Sequence, residues 1–201
     1  MAAQSLNPVE LRVLGCLIEK QRTTPEQYPL TLNALRLACN QTSNREPVLD
    51  LDEAEVRAAA QSLGTHGYAR LATGPGSRTA KYRQLFGEAL DLMPGEVSVL
   101  AILMLRGPQT VSELKTRTER LHHFASAGDV ADTLARLEAK ELVRLLGKRP
   151  GQREERWGHL LGEEAHAAEP GESVAAAEPL ALDERLARIE ARLAALESRL
   201  R

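Results

Sequence analysis

Apolar residues recur at helical spacing in three successive stretches of the chain, and then the same series begins again. Leu11, Leu14, Cys16, Leu17 and Ile18 form a broad helical face that follows Pro8. Proline is tolerated in a first turn because the N–H it lacks has no helical partner there. Leu35, Leu37 and Ala38 define a second helix, which Thr31 is placed to cap. Val56, Ala59, Ala60 and Leu63 form the stripe of a third, over about 52–65. Extended segments follow: a strand at 68–72, a Pro-Gly turn, and a second strand ending in Tyr82. Pro94, Thr110, the stripe Val130, Leu134 and Leu137 over about 128–140, a strand at 142–146 and a strand ending in Trp157 repeat that order.

The repetition extends to residue identity. Leu6-Asn-Pro-Val-Glu-Leu-Arg-Val-Leu14 aligns with Leu92-Met-Pro-Gly-Glu-Val-Ser-Val-Leu100, and Pro29-Leu-Thr-Leu-Asn-Ala-Leu35 with Pro108-Gln-Thr-Val-Ser-Glu-Leu114. Residues 56–71 run alongside 130–145, and 75–85 alongside 150–160. Four matched segments in one order indicate a duplicated unit. Three helices followed by a hairpin is the winged helix-turn-helix arrangement. The expectation is therefore a mainly α chain with small β-hairpins (α+β): two tandem winged helix-turn-helix domains, 1–88 and 89–161. A flexible linker at 162–180 and a C-terminal coiled-coil helix at 181–201 complete the reading.

The stretches Cys16-Leu-Ile-Glu-Lys-Gln21, Thr23-Thr-Pro25, Tyr28-Pro-Leu30, Asn33-Ala-Leu35, Ala38-Cys-Asn-Gln41 and Asn44-Arg45-Glu46-Pro47-Val48 resemble the YceH family of bacteria. The resemblance covers roughly 6–161, with Arg106-Gly-Pro-Gln-Thr110 and Pro150-Gly-Gln-Arg153 included. It implies tandem winged helices. It brings no activity, cofactor or catalytic residue.

The first copy is longer by seven residues between its first and second helices and by five between its second and third. The extra residues lie around 21–28 and 41–51, on either side of the second helix. Loops on a rigid scaffold are common binding elements, so Gln27, Tyr28, Asn44, Arg45 and Glu46 are candidates for partner binding. The other reading makes 44–46 a structural turn whose side chains satisfy one another and the backbone.

Composition narrows the function classes. The chain has 201 residues, with 26 basic and 28 acidic side chains and a net charge of −2. Residues 1–88 carry 10 basic and 9 acidic groups and 89–161 carry 11 and 10, so the tail, with 5 and 9, supplies the deficit. Six aromatic residues disfavour single-strand binding by stacking. No apolar run approaches the roughly 18 residues that would cross a bilayer, and no secretion signal is evident. A cytoplasmic protein with reduced Cys16 and Cys39 is expected, with no membrane contact.

A groove-reading winged helix inserts its third helix, and the outward residues Arg57 and Gln61 suit base contact. Acidic residues open both third helices: Asp52, Glu53 and Glu55, then Asp129 and Asp132. They would repel phosphates, or serve only the helix dipole. Thr133, Arg136 and Lys140 are the weaker offering of the second copy. The hairpins favour nucleic acid more clearly. Arg70, Arg78, Lys81 and Arg83 lie in the first wing, and Arg144, Lys148, Arg149, Arg153 and Arg156 in the second. Alternation turns Tyr82 and Trp157 to the core while Lys81, Arg83 and Arg156 face out, where they suit phosphate contact or merely protect an edge. The leading expectation is a DNA-binding or transcription-related regulator that contacts double-stranded DNA through its wings. The alternative is a non-catalytic scaffold that binds a protein partner on winged-helix surfaces.

Catalytic signatures are missing. His66, His122, His123, His159 and His166 form no HExxH or zinc spacing, and Gly74-Pro-Gly-Ser77 lacks a Walker lysine. No enzyme activity, metal or cofactor is expected. In the tail, Leu182, Leu186, Ile189, Leu193, Leu196 and Leu200 repeat at steps of 4, 3, 4, 3 and 4. Asp183, Glu190 and Glu197 fill the e positions and Arg185, Arg192 and Arg199 the g positions. That pattern predicts a parallel homodimer through a C-terminal coiled coil. The competing reading is one amphipathic helix docked on its own chain.

Overall fold

The computed structural model describes residues 5–72, 80–148 and 154–162. All of them lie in the first of the two units into which the chain divides, 1–168. The described fold is mixed α+β. Helices α1 (Pro8–Thr23), α2 (Leu32–Cys39) and α3 (Glu53–Thr65) precede a hairpin of β2 (Ala69–Ala72) and β3 (Lys81–Gln84). A short α4 (Phe86–Ala89) leads to α5 (Pro94–Arg106), α6 (Val111–Thr118), α7 (Ala127–Ala139) and the hairpin β4 (Val143–Leu146) and β5 (Arg156–His159). No described helix is long and apolar enough to cross a membrane.

The helix starts follow local chemistry. Asn7 Oδ1 accepts from the N–H groups of Val9 and Glu10, both at 2.9 Å, while Glu10 returns its carboxylate to the Asn7 N–H at 2.8 Å. Asp52 with Glu55, Thr110 with Glu113 and Ser126 with Asp129 build the same reciprocal box, which satisfies donors that a helix leaves open. Thr31 caps α2, donating no proton but accepting one from the Ala34 N–H at 3.2 Å.

The sheets contain one element that the periodicity did not reveal. Strand β1 (Leu30–Thr31) adds to the first hairpin in the antiparallel order β1-β3-β2, with Leu30 opposite Tyr82. The second hairpin has a single bridge at the matching place, where Gln109 and Trp157 exchange backbone hydrogen bonds of 3.0 and 2.7 Å. Two residues are too few for alternation to register.

The two copies share one core. Residues 10–19 of α1 and 95–105 of α5 are buried without interruption, which marks helices covered on every side. They pack on each other. A Cβ added at Gly15 would stand 2.8 Å from Leu105 Cγ, so glycine sets how closely the two axes approach. Further stitching comes from the Leu6 N–H to the Leu161 carbonyl at 2.7 Å and the Glu46 N–H to the Leu105 carbonyl at 2.8 Å.

Candidate nucleic-acid interface

In the first hairpin Arg70 stands directly opposite Arg83, and Lys81 lies opposite both Ala72 and Thr31. The period of two therefore gathers Arg70, Lys81 and Arg83 on one face, while Ala69 and Tyr82 are buried on the other. Like charges facing each other across a ladder are destabilising. Only Arg83 has a counter-charge, donating to Glu88 Oε1 at 3.0 Å, and that carboxylate is 73% exposed. Arg70 and Lys81 have no side-chain partner among the described residues.

Arg57 and Gln61 stand one turn apart on the exposed face of α3, the helix that packs on β2. The acidic residues ahead of them have local roles. Asp52 and Glu55 hydrogen-bond each other's backbone N–H at 2.8 Å, and Glu53 is exposed.

The second hairpin is different. Arg156 was expected to face out, and alternation does set it on the outer side of the ladder. Its guanidinium instead folds against α6, donating to Glu113 at 2.7 and 3.2 Å and to the Pro108 carbonyl at 2.9 Å. The reason is the neighbouring carboxylate. Burial works to raise the pKa of Glu113, but the Thr110 N–H and Arg156 outweigh it and hold the group below the usual carboxylate range. Lys148 is exposed and Arg144 half-buried. Arg78, Arg149 and Arg153, like the heptad residues Leu182, Leu186, Ile189, Leu193, Leu196 and Leu200, lie outside the described residues.

Arg136 of α7 and Lys140 just past its end are exposed but pair with Glu96, at 3.6 and 2.9 Å, whose carboxylate side chain is only 1% exposed. Thr133 is buried, its hydroxyl donating to the Asp129 carbonyl.

The loop residues proposed for partner binding sit mostly at the seam between the copies. Arg45 has a fully buried side chain that grips Glu19 at 2.6 and 3.1 Å and donates to the Ala38 carbonyl. Asn44, at φ 59°, accepts from Arg106 at 2.7 Å. Asparagine tolerates that left-handed conformation better than most residues. Glu46 is exposed, with its backbone tied to α5. The Tyr28 hydroxyl accepts from the Gln84 N–H at 2.6 Å, and burial pushes its pKa up to about 12. Gln27 is exposed in a short 3-10 turn. Arg12, Glu19, Glu96 and Arg106 are the charged residues that pattern reading passed over. The available signal was a charge set inside an otherwise apolar helical run.

A family model described as "Protein of unknown function, DUF480" matches residues 6–152. The UPF0502 protein of Pseudomonas fluorescens (strain Pf0-1) is 46% identical over 200 residues, covering 97% of this chain and 92% of the relative. That of Pelobacter propionicus is 52% identical over 159 residues, 78% of this chain and 72% of the relative. That of Geobacter metallireducens is 48% identical over 192 residues, 92% and 87%.

Proposed function

The chain belongs to this YceH-like family, and from that premise we propose that it is a tandem winged-helix protein that binds double-stranded DNA through its first repeat. In this reading α1, α2 and α3 form the helix-turn-helix, the β2–β3 hairpin is the wing, and the protein acts in regulation. The observation that carries it is the facing pair of Arg70 and Arg83, offset only by the exposed Glu88, with Lys81 on the same face. Phosphate oxygens there would relieve a repulsion built into the ladder. Arg57 and Gln61 supply groups able to contact base edges.

Binding to a duplex should weaken steeply with salt. Replacing Arg70, Lys81 and Arg83 together by alanine should lower the slope of log K against log salt by about three, while Arg57→Ala weakens binding by about 1–3 kcal/mol. Absence of binding to any duplex at low salt would sink the proposal. The second repeat supports a different role. Arg117, Arg136, Lys140 and Arg156 are paired with carboxylates there, and Leu145 and Met93 are exposed at 42% and 63%, which suits contact with a protein. Dimerisation through residues 182–200 belongs to the same proposal, and sedimentation of the full chain against one ending near 171 tests it.

A further inference from the structure

A cavity of about 300 Å³ lies at the seam between the repeats, and Leu49, Leu103 and Met104 form much of its wall. Arg12, His159 and Glu46 also line it. Arg12 is only 2% exposed. Its two terminal nitrogens donate to the carbonyls of Cys39 and Pro47, and its Nε–H has no acceptor. A buried cation ordinarily has a carboxylate beside it. Here the candidates are engaged elsewhere: Glu19 with Arg45, Glu10 with the Asn7 N–H, and Glu46, an exposed residue, in the field of Arg106. Burial and the nearby Arg45 both push the pKa of Arg12 down. The Cys16 and Cys39 sulfurs act on Arg12 in the opposite direction, and Cys39 is itself pushed up by its hydrogen bond with Cys16 and by burial.

His159 adds a neutral donor. Burial depresses its pKa to about 4, and its Nδ1 accepts from the Leu161 N–H at 3.3 Å, which assigns the proton to Nε2. The wall thus combines apolar side chains, a guanidinium with no ion-paired carboxylate and no acceptor for its Nε–H, an imidazole, and the exposed Glu46 carboxylate.

We propose that this cavity binds a small organic acid with an apolar body, its carboxylate directed to Arg12 and its hydrocarbon against Leu49, Leu103 and Met104. The site is independent of the nucleic-acid reading, because its ligand touches neither the first hairpin nor α3.

Calorimetric titration of the full chain with octanoate, octanol and octylamine tests it. Octanoate should bind about tenfold or more tighter than octanol, and octylamine weakest. Arg12→Met should remove the preference for the acid. Because that variant also loses two structural hydrogen bonds, Leu49→Trp is the second test: it fills the cavity, leaves Arg12 in place, and should abolish octanoate binding with the circular dichroism unchanged. Equal binding of acid and alcohol would overturn the proposal. So would octanoate affinity unmoved by Leu49→Trp, or an ultraviolet thiolate band at neutral pH that Cys16→Ser removes, since the sulfur would then be the counter-ion.

Discussion

Where the first repeat carries Arg57 and Gln61 on its third helix, the second carries Ala131 and Ala135. Where the first hairpin has Arg83, the second has Gly158; where the first has Lys81, the second has Arg156 bound to Glu113. Conversely, Arg136 and Lys140 reach the buried Glu96, while Ser62 and His66 occupy their places in the first repeat. At these positions the first copy leaves Arg57 and Lys81 without a counter-charge among the described residues, and the second pairs Arg156, Arg136 and Lys140 with Glu113 and Glu96. Duplication preserved the positions that make helices and hairpins, and the charge was redistributed on top of them. A net charge near zero in each copy hides this, because a count does not record who pairs with whom.

The asymmetry invites perturbation, and the largest effect should come from the loop that only the first copy has. Arg45→Met leaves the buried Glu19 carboxylate without its partner and should destabilise by about 3–5 kcal/mol, seen as a lower midpoint in urea. Asn44→Ala, which removes the contact to Arg106 and puts alanine at φ 59°, should cost less, about 1–2 kcal/mol.

Acid sensitivity should belong to the second copy. His159 occupies the place of Gln84, a neutral amide whose oxygen accepts from the Phe86 N–H at 2.7 Å. The folded pKa of His159 is pushed down to about 4, so below the ordinary histidine value the unfolded chain takes up the proton first. Stability is full above about pH 6.5 and falls as pH drops toward 4, by about 3 kcal/mol in all. Denaturation at several pH values should show that loss, and His159→Gln should flatten it.

A smaller change tests the joint between copies. Gly15 and Ala101 occupy equivalent positions on α1 and α5. Gly15→Ala pushes a methyl into buried Leu105 and should cost about 1–3 kcal/mol in chemical denaturation. Leu105→Ala in the same chain should recover part of that loss if the clash is its cause.

The smallest effect is a gain. The turn after the third helix has positive φ in both copies, 76° at Gly67 and 57° at Glu141. Only the second copy meets it with a side chain. Glu141→Gly should therefore stabilise by about 1 kcal/mol, visible as a raised melting temperature, and Gly67→Ala should destabilise by a similar amount.

Local order was legible because its causes lie within a few residues. Pro8 and Pro94, the Thr31 and Thr110 caps, and the stripes of α3 and α7 each use neighbours close in the chain. Both hairpins were legible from alternation and a turn, and the facing of Tyr82 followed. Strand β1 escaped because its two residues acquire meaning only from β3. Arg45 gave no sign of being buried, since a Gln-Thr-Ser-Asn-Arg stretch has the composition of a surface loop. Of the candidate interface, Lys81, Arg83, Arg57 and Gln61 were read from pattern, whereas the opposition of Arg70 to Arg83 required the register.

The amino-acid sequence carries a repeated pattern of three helices and a hairpin, and it marks where the long helices begin. Capping and hydrophobic period act over distances that the chain itself sets. The tertiary structure decided that α1 and α5 bury each other, that Arg156 and Lys140 pair with Glu113 and Glu96, and that Arg12 lies in the seam bonded to carbonyls rather than to a carboxylate. Those outcomes depend on which distant group arrives at a given place, and a charge or an apolar face becomes paired, buried or free only there.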